Sequence, residues 1–358
     1  MNTDRPHPPN DPVAAATHEE PRAYYARLAA RSPYFDAALA CWVAASVPAV
    51  GEVLSHPALL VRPETEPVPG PLQDTPAGAL FAALVRMTDG PAHGPLKAAI
   101  RTALDSIDEQ DIRRNTRAVA ALLIPATAWS GAAVTRFNYA LPGLVLAQGF
   151  GIPRDHWPAL ADEVLALVRC IAPGGSEEEI AAGARAAARL EQRVRERLMK
   201  PGPLLGRLCA EFERAGLADS LLVANAVGLL FQACEGCAGL LGQALILAGK
   251  KAGWDGARLV EAVLDDMPPI QNTRRFVARD ARVAGCPLQR GDTVLAVLAA
   301  EGRNLAFGQG PHACPGARWA RVIAVSGGDY LQQSGLDPRM LARYRWRRSL
   351  NVRVPEFF

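Results

Sequence analysis

The stretch that most restricts the fold is residues 221–249, LLVANAVGLLFQACEGCAGLLGQALILAG. It is apolar on almost every side, so a helix made from it leaves no face for water and belongs inside a large core. At about 1.5 Å per residue it can cross a whole domain. The chain can supply that core: it has 358 residues, 49% of them hydrophobic, enough for one large domain or two ordinary ones. One carboxylate, Glu235, lies inside the run. A buried carboxylate without a partner is costly and stays neutral or finds one, which makes Glu235 a candidate functional group. Cys234 and Cys237 form a Cys-x-x-Cys. On an apolar helix with no second pair, this favours buried structural thiols over a redox or metal site.

Nearer the C-terminus, Phe307-Gly308-Gln309-Gly310-Pro311-His312-Ala313-Cys314-Pro315-Gly316 sets one cysteine between a glycine-rich turn and a helical run at 317–326. Glycines permit close backbone approach. The start of the next helix offers unpaired N–H groups and partial positive charge, which stabilise an anionic sulfur. A haem iron is the cofactor that most naturally takes one thiolate from such a loop. The plain alternative is a buried free cysteine in a turn.

The spacing Phe-x-x-Gly-x-His-x-Cys-x-Gly is filled at every slot, by Phe307, Gly310, His312, Cys314 and Gly316. On these residues the chain resembles the cytochrome P450 family, over about residues 21–354 with gaps. The resemblance implies a mainly α fold with small β-sheets, a haem domain over 21–358 and haem b with Cys314 as the metal ligand. Phe307 and Gly308 would flank the haem, and His93, Lys97, Arg275 and His312 would hold its propionates. Lys97 stands where the family usually has Arg; it keeps the charge but loses the bidentate fork. Taken alone, His93 and Lys97 are an ordinary solvated pair four residues apart on one helical face.

By the same resemblance, residues 221–249 form the helix that passes over the haem. Its usual Ala/Gly-Gly-x-Asp/Glu-Thr motif is met by Gln232-Ala233-Cys234-Glu235-Gly236. Glu235 takes the acid slot, a catalytic proton relay. Gly236 takes the alcohol slot and cannot supply a hydroxyl. Gln232 brings an amide toward the catalytic pocket. Phe231, Ala233, Ile270 and Thr273 would line the substrate pocket, with a contribution from 72–84. Two further family features are missing. The Glu-x-x-Arg slots hold Ala262 and Asp265, and the adjacent Glu261 has no Arg three residues on. The meander is shortened, since Glu301-Gly302-Arg303-Asn304 runs almost directly into Phe307. A brace and the loop it braces are lost together, so the face where a redox partner docks should be altered.

The residue pattern predicts helices at 22–31, 47–55, 93–104, 108–123, 141–150, 157–172 and 177–198, and the resemblance implies another at 259–266. Strands are expected at 42–44, 270–278, 282–287 and 293–298, and the resemblance implies closing strands at 344–353. Residues 1–20, rich in Pro, Asn, Asp and Ala at the start, are expected to be disordered. Net charge is +3, too small to argue for nucleic acid or an anionic membrane. Seven scattered cysteines and no apolar leader favour a reducing cytoplasm and the soluble bacterial type of the family. The expected activity is haem-thiolate, monooxygenase-like oxidation of a small organic molecule in specialised metabolism, with a ferredoxin or other electron donor. The departures leave two rivals. One is an atypical enzyme using peroxide or running a dehydration, rearrangement or N–O reaction. The other is a non-catalytic auxiliary homologue.

Overall fold

The structure is a computed structural model that describes residues 7–124, 129–300 and 305–358. The helices among these residues are α1 (Arg22–Ala30), α2 (Val47–Ser55), α3 (Pro76–Ala83), α4 (His93–Asp105), α5 (Glu109–Leu123), α6 (Gly131–Phe150), α7 (Trp157–Ile171), α8 (Glu177–Arg195), α9 (Pro203–Arg214), α10 (Asp219–Ala248), α11 (Gly256–Asp266) and α12 (Ala317–Gln333). The strands are β1 (Tyr34–Asp36), β2 (Cys41–Ala44), β3 (Leu59–Leu60), β4 (Asn272–Val277), β5 (Ala281–Val283), β6 (Cys286–Leu288), β7 (Thr293–Val297), β8 (Tyr344–Trp346) and β9 (Pro355–Phe357).

α10 is the central helix its composition demands. It packs on α6, α12, α11 and α8, and most of its apolar residues from Leu222 to Leu245 are buried in the main core. It is long and apolar enough to cross a membrane, but two-thirds (67%) of its most apolar window is buried inside the fold. β1, β2, β7, β4 and β3 form a sheet in that order, with β2 parallel to β7 and the other pairs antiparallel. α2 packs on this sheet and closes a second core around Val50, Val53, Leu59 and Val294.

Several boundaries move. α6 starts ten residues before the expected 141, because Ser130 caps it by accepting from Ala133 N at 3.2 Å and Pro142 is accommodated within the helix. α9 was not expected, yet its buried Leu204, Leu205, Leu208 and Phe212 carry a helical period that a closer count would find. The strand expected at 282–287 is the β5–β6 hairpin, turned at Ala284 and Gly285, both at positive φ. The N-terminal tail is not disordered where it is described. Ala14–Thr17 forms a 3-10 turn with Ala15 and Ala16 buried, and Arg353 donates to the carbonyls of Ala16 and His18 at 3.3 and 2.6 Å. A buried guanidinium supplies the tie that composition cannot reveal. Residues 1–6 of that tail, and residues 301–304 of the shortened meander, lie outside the described residues.

Candidate active site

The Cys314 loop is held from both sides. Its first turn closes through Gly308 N donating to Leu305 O, and Cys314 N donates to Phe307 O, each at 2.9 Å. Gly308 and Gly310 both have φ near +69°, and a Cβ at Gly310 would lie 2.7 Å from Ser55 Oγ, so glycine is required there. Beyond the loop, Arg318 and Trp319 at the start of α12 donate to Leu104 O at 2.7 and 3.1 Å, which docks the helix on the end of α4. The loop is thereby fixed between α2 and α4.

Cys314 has an exposed surface, yet burial drives its thiol pKa up. Its surface therefore opens onto the protein interior rather than bulk water. Opposing that burial are a hydrogen bond from the Gly316 backbone N–H and the positive charges of Lys97, Arg86 and Arg321. Lys97 donates to Ala313 O, so α4 brings its ammonium beside the cysteine. His93, one turn earlier on α4, stacks on His312 with ring centroids 4.2 Å apart. Burial first, then the charges of His312 and Lys97, pull the His93 pKa down to about 4, and its Nε2 is buried without a partner. His312 Nε2 lies 3.0 Å from Asp89 Oδ1, while Asp89 Oδ2 accepts from Val61 N at 2.9 Å. Arg275 on β4 is buried and spends one guanidinium nitrogen on Arg274 O and Thr273 Oγ1.

The α10 side is built differently. Glu235 forms an ion pair with Arg347, which follows β8. Arg347 also lies over the Tyr139 ring of α6, 5.4 Å from its centroid. Burial pushes the Tyr139 hydroxyl up to about 12, and that hydroxyl has no partner. Gln232 is half-buried and its amide nitrogen folds back over Gly228. At Gly236 a Cβ would meet only Ile270 Cδ1, at 3.8 Å, so no clash imposes glycine there. Of the expected pocket residues, Ala233, Ile270 and Thr273 are half-buried, whereas Phe231 is buried in the main core. Cys234 and Cys237 are buried, with the Cys234 thiol 3.2 Å from Leu230 O.

No protein-family model matches the chain. Cytochrome P-450 monooxygenase DoxA of Streptomyces sp. (strain C5) is 29% identical over 234 residues, 52% of this chain and 53% of that protein. That match therefore spans about half the length of each. Nocardicin C N-oxygenase of Nocardia uniformis subsp. tsuyamanensis is 26% identical and covers 88% of this chain and 87% of its own length. Among solved structures, P450BioI bound to an acyl carrier protein superposes with a TM-score of 0.77 at 19% identity, covering 94% of this chain and 97% of that one. The chain is thus similar to cytochrome P450 monooxygenases in sequence and has the fold of P450 structures. Its fold is the haem-thiolate fold, and the family implies haem with thiolate ligation.

The residues present fit that group. A soft donor faces the interior at Cys314, and a buried, unpartnered His93 nitrogen, Lys97 and Arg275 suit two carboxylates at one end. The sequence reading missed four participants: Asp89, Arg86, Arg321 and Arg347. It also took the Glu-x-x-Arg brace as lost. Within α11 it is, but Glu261 pairs with Arg321 of α12 at 2.9 Å, and the Arg321 guanidinium lies 4.5 Å from the centroid of Phe307. The acid is thus tied to the cysteine loop through a different helix. A contact between residues 60 apart leaves no local spacing to find.

Proposed function

We propose that this P450 oxidises a small organic molecule, as a haem-thiolate monooxygenase of bacterial specialised metabolism. The observation that carries this reading is the interior-facing Cys314 in a loop held at both ends. Haem bound there would supply oxygen activation, aided by electron donation from the thiolate. Cys314 would ligate the iron of haem b. Lys97, Arg275 and His93 would anchor the two carboxylates, with His312 oriented by Asp89. Phe307, held under Arg321, would shield the sulfur from water.

On the opposite wall, Glu235 would store and pass a proton, and its ion pair with Arg347 favours the carboxylate form. Proton transfer would run from water to Glu235 and on to the reacting centre. Ala233, Ile270 and Thr273 would bound the substrate. Electrons would come from a ferredoxin or another donor at the face of the shortened meander, in the cytoplasm.

A specific observation favours a second reading. Gly236 removes the hydroxyl that normally works beside the acid, and no steric need explains the glycine. Peroxide use, or a reaction that needs no oxygen activation, is the form this would take. Turnover should be compared with a ferredoxin–reductase pair, with peroxide and with neither. Product from the ferredoxin system alone supports the monooxygenase; product only from peroxide, or with no oxidant, supports the second reading. The auxiliary reading is the weakest, because a helper without haem chemistry has no need of the intact thiol loop.

A further inference from the structure

Arg86 has no role in the steps above. It sits in a 3-10 turn, Val85–Met87, between α3 and α4. That turn is clamped to α10. Asn225 Oδ1 accepts from Val85 N at 2.8 Å, and Asn225 Nδ2 donates to Ala83 O at 2.9 Å. Leu84 closes on Gly228, where a Cβ would lie 2.7 Å from Leu84 Cδ2 and 2.9 Å from Gln232 Nε2. Arg86 therefore issues from the α10 wall, beside Gln232, and not from the cysteine loop.

Its side chain has a large exposed surface, yet burial lowers its pKa and the Cys314 charge acts on it. The guanidinium thus lies within electrostatic reach of the thiol and of Arg275. It makes no hydrogen bond or ion pair with any described residue. The nearby groups are otherwise engaged. Asp89 is taken by His312 and Val61 N, and Glu235 by Arg347. The haem carboxylates already have Lys97, Arg275 and His93. A cation in such surroundings gains from a counter-charge, and a planar fork of five donors matches a carboxylate.

We propose that Arg86 is a substrate-anchoring residue, whose guanidinium pairs with a carboxylate on a substrate held between α10 and the Cys314 loop. The natural substrate is then an organic acid. This rests on the haem-thiolate reading. Asn225 and Leu84 act as positioning residues that hold the turn against α10.

The test uses haem-loaded protein and two probes, 4-(imidazol-1-yl)benzoate and its uncharged benzamide. Each carries an imidazole nitrogen that ligates iron and shifts the Soret band, so affinity is read without turnover. The acid is expected to bind about tenfold or more tightly than the amide, a ratio worth about 1.4 kcal/mol. Arg86→Gln should erase the preference, Arg86→Lys should keep part of it, and both should retain the parental haem content. Equal affinities in the parent, or an unchanged ratio in Arg86→Gln, overturn the proposal. If Arg86→Gln loses haem while its remaining holoprotein keeps the ratio, Arg86 serves a haem propionate instead. If Arg86→Gln does not fold, the Arg86→Lys ratio decides alone: a value equal to the parent's or above it overturns the proposal. A parent with no thiolate-type carbon monoxide spectrum brings down the haem-thiolate reading itself, and the proposal with it.

Discussion

The two walls of the proposed haem site obey different rules. The Cys314 side is a backbone device: positive-φ glycines, short turn hydrogen bonds and helix docking hold one sulfur in place. The α10 side is a side-chain device, in which Glu235, Gln232, Gly236 and the nearby Arg86 each set a separate property. A backbone device fails if any part changes, so it keeps a fixed pattern. A side-chain device can be retuned one residue at a time without loss of the helix. Here the first wall matches the family pattern at every slot, while the second has lost its hydroxyl and gained an amide.

The contrast can be broken most severely on the cysteine side. Replacing Lys97 and Arg275 together by leucine should speed haem transfer to apomyoglobin by about tenfold or more, since two of the three proposed partners of the carboxylates are removed and only His93 remains. Unchanged haem retention would move the anchoring elsewhere. On the other wall the expected effect is on chemistry, with haem unaffected. Gly236→Thr has room for its Cβ near Ile270. It should raise product formed per electron from the ferredoxin system by about tenfold, below the roughly 10²–10⁴-fold range of full acid–base catalysis, and leave haem content alone. No gain would mean that the missing hydroxyl is not what limits oxygen activation.

Arg347→Leu frees Glu235 from its ion pair. It should slow proton delivery several-fold and enlarge the solvent isotope effect on turnover, and adding Glu235→Gln should change little further. Additive losses would separate the two residues. The smallest effect is expected at the cross-helix brace. Glu261→Gln and Arg321→Gln each leave a partly exposed pair unmade, at a cost of about 1 kcal/mol, and should lower Tm by about 1 °C. Their double mutant should fall by less than the sum of the two, because they share this contact.

The legibility of the sequence follows the same division. The α10 run, the Cys314 loop and the α4 pair of His93 and Lys97 could be seen because local spacing encodes them. Periodicity also found α2 at its observed limits. What was hidden is long-range. The Glu235–Arg347 pair joins α10 to the C-terminal strands, and the Glu261–Arg321 pair joins α11 to α12. Arg353 ties down a tail whose composition suggests disorder. Arg86 lies in a short turn without periodicity, and only the clamp on Asn225 shows which wall it belongs to.

The central claim is that Cys314 delivers a thiolate to haem iron although the helical Glu-x-x-Arg pair is absent. Its most direct test is the carbon monoxide difference spectrum of the dithionite-reduced protein, with Cys314→Ser alongside. The account predicts a strongly red-shifted Soret band that disappears in Cys314→Ser. No bound haem, or a band typical of a neutral proximal ligand in the parent protein, would contradict it.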